Sequence, residues 1–202
     1  ILSGISLDGK KYFYTNPLRI SADLPYTLRW PKERTEYISC FCCPPNTLRT
    51  LCQAQNYAYT LGSEGIYCNL YGANTLTTNW RDKGEIALTQ KTAYPWEGNV
   101  RVEFDRVPRK AGVFSLFLRI PEWCEKAMLT VNGELVPVAA KANTYAEVKR
   151  TWKKGDVVEW VMDMPVRLLE AHPLAEEIRN QVVMKTVGIL LGEHGYDRWR
   201  KH

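Results

Sequence analysis

The chain has 202 residues, 45% of them hydrophobic, and a formal charge of +5 from 27 Lys and Arg against 22 Asp and Glu. That is enough material for one large or two small domains with a real core, and no apolar run approaches the roughly 20 residues a membrane helix needs, so a membrane is not an expected partner. Lys and Arg are scattered among Asp and Glu instead of forming a stripe, so nucleic acid is not an expected partner, and the basic cluster Arg198-Trp199-Arg200-Lys201-His202 reads as a solvated tail.

The front of the chain, Ile1-Leu2-Ser3-Gly4, has neither an initiator Met nor a basic leader and reads as mature or truncated. Ile1 to Ile5, the polar turn Asp8-Gly9-Lys10 and the aromatic run Tyr12-Phe13-Tyr14 before Asn16-Pro17 form a hairpin signature. A polar stretch from Ser21 to Thr35 leads into Cys40-Phe41-Cys42-Cys43-Pro44-Pro45-Asn46, the most informative segment of the sequence.

Three thiols within four residues have no cheap structural explanation. Cys42 with Cys43 closes only a strained ring, and Cys40 with Cys42 fares little better, because a disulfide needs well-separated Cα atoms and opposed Cβ vectors. Thiolates gathered on a metal are the better reading. Zinc prefers four ligands and takes sulfur readily, so two or three cysteines of this loop would need one or two partners from elsewhere in the fold. The bland alternative is a pair of buried free thiols.

Asn46 to Gly62 reads as one amphipathic helix, with Leu48, Leu51, Cys52, Gln55, Ala58, Tyr59 and Leu61 at helical spacing, Pro44 and Pro45 at its entrance and Gly62 at its exit. The cysteines therefore sit at or just before a helix N-terminus, whose free N–H groups favour a thiolate. Cys52, Cys68 and Cys124 lie singly in apolar settings and read as buried small hydrophobes. Arg49 either pairs locally or reaches a carboxylate elsewhere; Glu33 and Glu36 read as solvated loop charges, and His172, His194 and His202 show no ligand spacing. Six cysteines, unevenly spaced, do not make a disulfide-stapled secreted scaffold. The cluster instead suggests a reducing compartment, and cytoplasm is the expected location.

Beyond Gly62 the period drops from about 3.6 to about two. Segments 66–71, 85–90, 99–104, 113–120, 127–131, 145–148 and 157–162 read as strands, with Asn132-Gly133 and Lys154-Gly155-Asp156 as turns. Short strands at this spacing indicate a mainly β fold, an antiparallel β-sandwich behind a short hairpin and helix. The expected division is 1–62 and 63–202. Trp96 with Tyr94, and Trp123 after Pro121, are either sugar platforms or packing aromatics.

The Cys40-x-Cys42-Cys43-Pro44-Pro45-Asn46-x-x-Arg49 loop resembles the bacterial β-L-arabinofuranosidases of glycoside hydrolase family 127. So do Ser3-Gly4-Ile5-Ser6-Leu7-Asp8-Gly9, Ile66-Tyr67-x-Asn69-Leu70-Tyr71, Thr92-x-Tyr94-Pro95-Trp96-x-Gly98, Leu118-Arg119-Ile120-Pro121-x-Trp123 and Met164-Pro165-Val166-Arg167. The likeness runs from residue 1 to about 185. It implies that 1–62 is the end of an α/α six-barrel catalytic domain and that 63–202 is a β-sandwich domain, with the tail from about 186 atypical.

It also implies a retaining hydrolase of oligosaccharides, acting on terminal β-L-arabinofuranosyl or related linkages, with zinc as its metal. By position, Cys42 matches the nucleophile and a zinc ligand and Cys43 a second zinc ligand, while Cys40 is expected to support them. The family's remaining ligands, a glutamate and a cysteine, and its acid/base glutamate correspond to residues ahead of Ile1. The isolated chain is accordingly expected to be a poor catalyst, and to self-associate through a barrel-facing surface left open. The tail, which departs from the family pattern after Lys185, is expected to stem from a frameshift or truncation. The rival expectation is a noncatalytic carbohydrate-binding or scaffolding sandwich whose cysteine loop holds a structural metal or nothing.

Overall fold

In the computed structural model, residues 4–14, 29–31, 33–80, 83–138, 141–174, 182–186 and 189–191 are described. They divide between two compact units, one drawn from 1–52 and 166–202, the other being 53–165. Helix α1 spans Cys43–Gln53. The strands are β1 Tyr59–Leu61, β2 Gly65–Cys68, β3 Asn74–Asn79, β4 Glu85–Thr92, β5 Asn99–Arg106, β6 Val113–Ile120, β7 Ala127–Val131, β8 Glu134–Val136, β9 Thr144–Thr151, β10 Val157–Met162, β11 Arg167–Glu170, β12 Val182–Thr186 and β13 Ile189–Leu191.

The unit 53–165 is the β-sandwich. One sheet has the order β1-β2-β6-β9, the other β3-β4-β5-β10-β7-β8. Six of the seven segments read as strands from their two-residue period lie wholly within strands, while of 66–71 only 66–68 are paired, β2 ending at Cys68. Their inward residues meet between the sheets: Ile66, Cys68, Leu116 and Leu118 from one, Leu88, Val102, Phe104, Leu129, Val158 and Trp160 from the other. Aromatic rings fill one end of this core, with Phe104 stacked on Trp152 at 4.4 Å and Trp80 edge-on to Phe114 at 4.8 Å. The Trp152 indole N–H is satisfied by the Phe114 carbonyl at 3.0 Å, so its burial leaves no orphaned donor.

Among the described residues, every strand pairing but one is antiparallel. β2 runs parallel to β6, because the chain crosses into the other sheet through β3, β4 and β5 before returning. Gly65 permits that pairing, as any Cβ there would fall on the Ser115 carbonyl oxygen. Asn132 and Gly133 have φ of 52° and 84° and close the β7–β8 hairpin, as expected from the Asn-Gly pair.

The helix differs from expectation at both ends. It starts three residues earlier, at Cys43, and its α-helical part stops at Gln53, tightening to a 3₁₀ turn over Ala54–Tyr57. Tyr59, Thr60 and Leu61 pair instead with Cys68, Tyr67 and Ile66, with Gly62 N–H bonded to Gly65 O at 2.9 Å. Sheet pairing outweighs the weak helical preference of an aromatic and a β-branched residue. None of the residues of α1 is buried, and Cys52, expected inside, is exposed because nothing among the described residues covers that face. Cys68 and Cys124 are buried as expected.

In the other unit, the expected N-terminal hairpin is reduced to a bridge between Ile5 and Tyr12, and Tyr12 also bridges Thr35. β11, β12 and β13 form a separate antiparallel sheet. The tail that departs from the family pattern falls largely outside the described residues, as do His194 and His202. Among the described residues no helix is long and apolar enough to cross a membrane.

Candidate metal centre

Backbone pairing brings the parts of this site together. Tyr12 N–H bonds Thr35 O at 3.0 Å and Thr35 N–H returns the bond to Tyr12 O at 3.1 Å. That tie carries Tyr14 alongside the segment leading to the cysteine loop. A tight turn then bonds Cys40 N–H to Ile38 O at 2.7 Å, and α1 begins three residues later.

The first turn of a helix normally leaves four N–H groups without intrahelical partners. Here Pro44 and Pro45 have none to offer, and Asn46 N–H bonds Cys42 O at 3.2 Å. The amide left over is that of Cys43. It is directed, together with the Cys42 amide, to the Cys40 sulfur.

The outcome is a cluster of three sulfurs. Cys40 Sγ lies 3.4 Å from Cys42 Sγ, which lies 3.4 Å from Cys43 Sγ, and all three atoms are within 4.8 Å of one another. None is joined in a disulfide. The Tyr14 hydroxyl is 3.3 Å from Cys43 Sγ and 3.9 Å from Cys40 Sγ. Cys42 and Cys43 are exposed and Cys40 is partly covered, so the cluster opens to solvent on the side of the helix start.

The surroundings set the protonation of each group. Hydrogen bonds from the Cys43 amide, the Cys42 side chain and the Cys42 amide lower the Cys40 thiol to about 6. Cys42 is pushed up to about 11, first by its hydrogen bond with Cys40 and then by that with Cys43, both of which favour its protonated form. Tyr14 is raised well above the ordinary phenol range by Cys43 and then Cys40, and so stays protonated as a donor to sulfur. The thiol most readily ionised in the metal-free loop is therefore Cys40.

The donor set suits a soft cation. Two sulfurs about 2.3 Å from one tetrahedral zinc stand about 3.8 Å apart, close to the 3.4 Å separations seen here. Among the described residues no His or carboxylate joins the group, which disfavours hard cations such as magnesium and calcium.

The same loop decides the relationship. Residues 1–56 match the family model described as the catalytic domain of GH127 β-L-arabinofuranosidase, and residues 65–164 match that of the GH127 middle domain. The chain belongs to glycoside hydrolase family 127. A solved structure described as a glycoside hydrolase shares 85% identity with this GH127 chain, covering 94% of it and 31% of the other, with a TM-score of 0.85. A GH127 β-L-arabinofuranosidase from Geobacillus stearothermophilus T6 is 34% identical over 94% of the chain and 30% of its own, with a TM-score of 0.75. The non-reducing end β-L-arabinofuranosidase of Bifidobacterium longum subsp. longum is 29% identical over 194 residues, 91% of this chain and 28% of that protein. The chain thus spans under a third of the length of these relatives.

Of the other residues singled out in the sequence, Arg49 pairs locally, its Nη1 donating to Asn46 Oδ1 at 2.6 Å. In the sandwich unit, Tyr94 and Trp123 pack against the core and Tyr94 meets Tyr71 edge-on at 5.8 Å, while Trp96 remains 49% exposed. Sequence reasoning missed Tyr14. It lies in an aromatic run with no ligand spacing to the cysteines, and only the Tyr12–Thr35 bridge brings it beside them.

Proposed function

We propose that this chain is part of a retaining glycoside hydrolase acting on terminal β-L-arabinofuranosyl or related linkages of oligosaccharides. In this reading Cys42 is the nucleophile and a zinc ligand, and Cys43 is a second ligand. The observation that supports it is the adjacency of the two sulfurs at the start of α1, inside the segment that matches the family's catalytic domain. Bound zinc would supply the charge that keeps a thiolate ionised at neutral pH.

A retaining mechanism needs a nucleophile on one face of the anomeric carbon and a proton donor at the leaving oxygen. Cys42, exposed at the loop, is open to attack a sugar carbon, while Cys43 and the helix start hold it in place. The proton donor and further ligands belong, in this reading, to residues outside 1–202. Without a general acid, expulsion of the sugar's leaving group loses about 10²- to 10⁴-fold in rate.

An aryl β-L-arabinofuranoside tests this directly. The chain alone is expected to show negligible turnover, and robust turnover would mean that a general acid lies within it. Zinc bound by the purified protein should be near-stoichiometric and lost on Cys42→Ser or Cys43→Ser; zinc unaffected by both changes removes the site.

A further inference from the structure

Between the connection from β5 to β6 and the turn from β9 to β10, the sandwich holds an open cavity of about 310 Å³ lined by Val107, Pro108, Arg109, Trp152, Lys153 and Lys154. Its three cationic residues are exposed. Among the described residues, the ion pairs of the sandwich are Lys91–Glu103, Arg101–Glu103, Arg101–Glu159 and Arg106–Glu85, and none includes Arg109, Lys153 or Lys154. The carboxylate of the same turn, Asp156, is buried and committed to neutral donors, the Lys153 amide at 2.8 Å and the Asn132 side-chain amide at 2.9 Å. We propose that this cavity binds an anionic sugar, with its carboxylate or phosphate held by Arg109, Lys153 and Lys154 and its ring set against Val107 and Pro108. The site uses none of the cysteine-loop residues and is independent of the zinc reading.

Three like charges around one concavity raise the local potential, and an anion relieves their mutual repulsion. The Arg109 guanidinium offers paired donors that match a carboxylate or a phosphate. Two further cations stand close by: Arg150 lies 5.4 Å from the centre of the Trp152 ring, and Lys83 Nζ donates to Ala111 O at 3.2 Å. A bare oxyanion would leave the apolar wall uncovered. The cavity falls at the small end of the range for organic ligands, about 300–1,000 Å³, and an apolar wall beside a charged rim suits a ring whose C–H face and polar groups differ. Thr151, also at the cavity, offers a hydroxyl that can donate to or accept from a sugar hydroxyl. Both loops are fixed by backbone bonds, Ala111 N–H to Pro108 O at 2.9 Å on one side and Gly155 N–H to Phe104 O at 2.8 Å on the other. Little ordering is therefore left for the ligand to impose.

The experiment uses the whole 202-residue chain. Saturation-transfer difference NMR reads the binding of D-glucuronate and of glucose 6-phosphate, with glucose as the neutral counterpart and inorganic phosphate as competitor. At least one anionic sugar is expected to bind about tenfold or more tightly than glucose, and the tighter of the two identifies the anionic group. Arg109→Ala and Lys154→Ala alter exposed side chains outside the core, and each should weaken that binding about tenfold, with urea unfolding showing that both remain folded. Lys91→Ala, at a cation paired with Glu103, should leave it unchanged. The proposal is overturned if neither anionic sugar binds better than glucose, or if the Arg109 and Lys154 variants bind like wild type. Equal weakening by Lys91→Ala would also overturn it, since the attraction would then be diffuse. Displacement by inorganic phosphate as effective as by the sugars themselves would refute the assignment of a sugar.

Discussion

The Tyr14 hydroxyl lies 3.3 Å from the sulfur of Cys43, joining two residues 29 positions apart in the sequence. The phenol is held protonated by its sulfur neighbours, so it donates to Cys43 and, in the proposed reading of Cys43 as a ligand, steadies it. Tyr14→Phe keeps the ring and removes this bond. Zinc affinity, measured by competition with a chromophoric chelator, should fall about 10-fold to 100-fold. Unchanged affinity would show that the hydroxyl is a bystander.

The unequal protonation of neighbouring thiols gives a pH-dependent signature in the metal-free chain. Cys40, lowered to about 6 by the Cys43 amide and then Cys42, is mostly thiolate at pH 7, whereas Cys42, pushed up to about 11 by Cys40 and then Cys43, is not. The difference in thiolate fraction is about 10⁴, and the weaker intrinsic nucleophilicity of the more acidic thiolate recovers about 10² of it. Iodoacetamide at pH 7 should therefore label Cys40 about 10² times faster than Cys42, as read by peptide mapping. The Cys40 rate should level off above about 7 and fall below about 6. Preferential labelling of Cys42 would contradict the hydrogen-bond assignment.

In the sandwich, two glycines should respond differently to the same change. Gly65→Ala drives a methyl group into the Ser115 backbone across the β2–β6 pairing, and backbone cannot swing aside as a side chain would. A loss of roughly 1–3 kcal/mol or more is expected. Gly133→Ala meets no atom within reach and strains only a φ of 84°, costing about 1–2 kcal/mol. Phe114→Ala, which removes a ring packed on Trp80 and near Phe104, should cost about 3–5 kcal/mol. Urea unfolding followed by tryptophan fluorescence ranks the three; Gly133→Ala as the most damaging would refute the packing argument.

The exposed apolar residues of α1 underlie the expected self-association. Leu48 is 62% and Leu51 45% exposed, and Phe41 and Tyr37 beside the loop are open as well. Light scattering should show a mass that rises with protein concentration and drops toward the monomer in Leu48→Glu. A monomer at all concentrations for the unaltered chain would remove this expectation.

The strands of the sandwich were legible because each carries its own period: Val100, Val102 and Phe104 alternate with Asn99, Arg101 and Glu103, and burying one face of such a segment leaves little choice of structure. β3, Asn74–Asn79, escaped notice because its residues are mostly polar and it is a strand by virtue of pairing with β4. The end of the helix escaped for a related reason: Tyr59 to Leu61 continue the helical spacing, and only the presence of β2 draws them into a sheet. At the cysteine loop, the sequence by itself determined the chemistry, three thiols at a helix entrance where two prolines remove the competing amides. Tertiary structure decided the rest. That Tyr14 joins the sulfurs depends on the Tyr12–Thr35 bridge, a contact between backbones distant in sequence that no local pattern encodes.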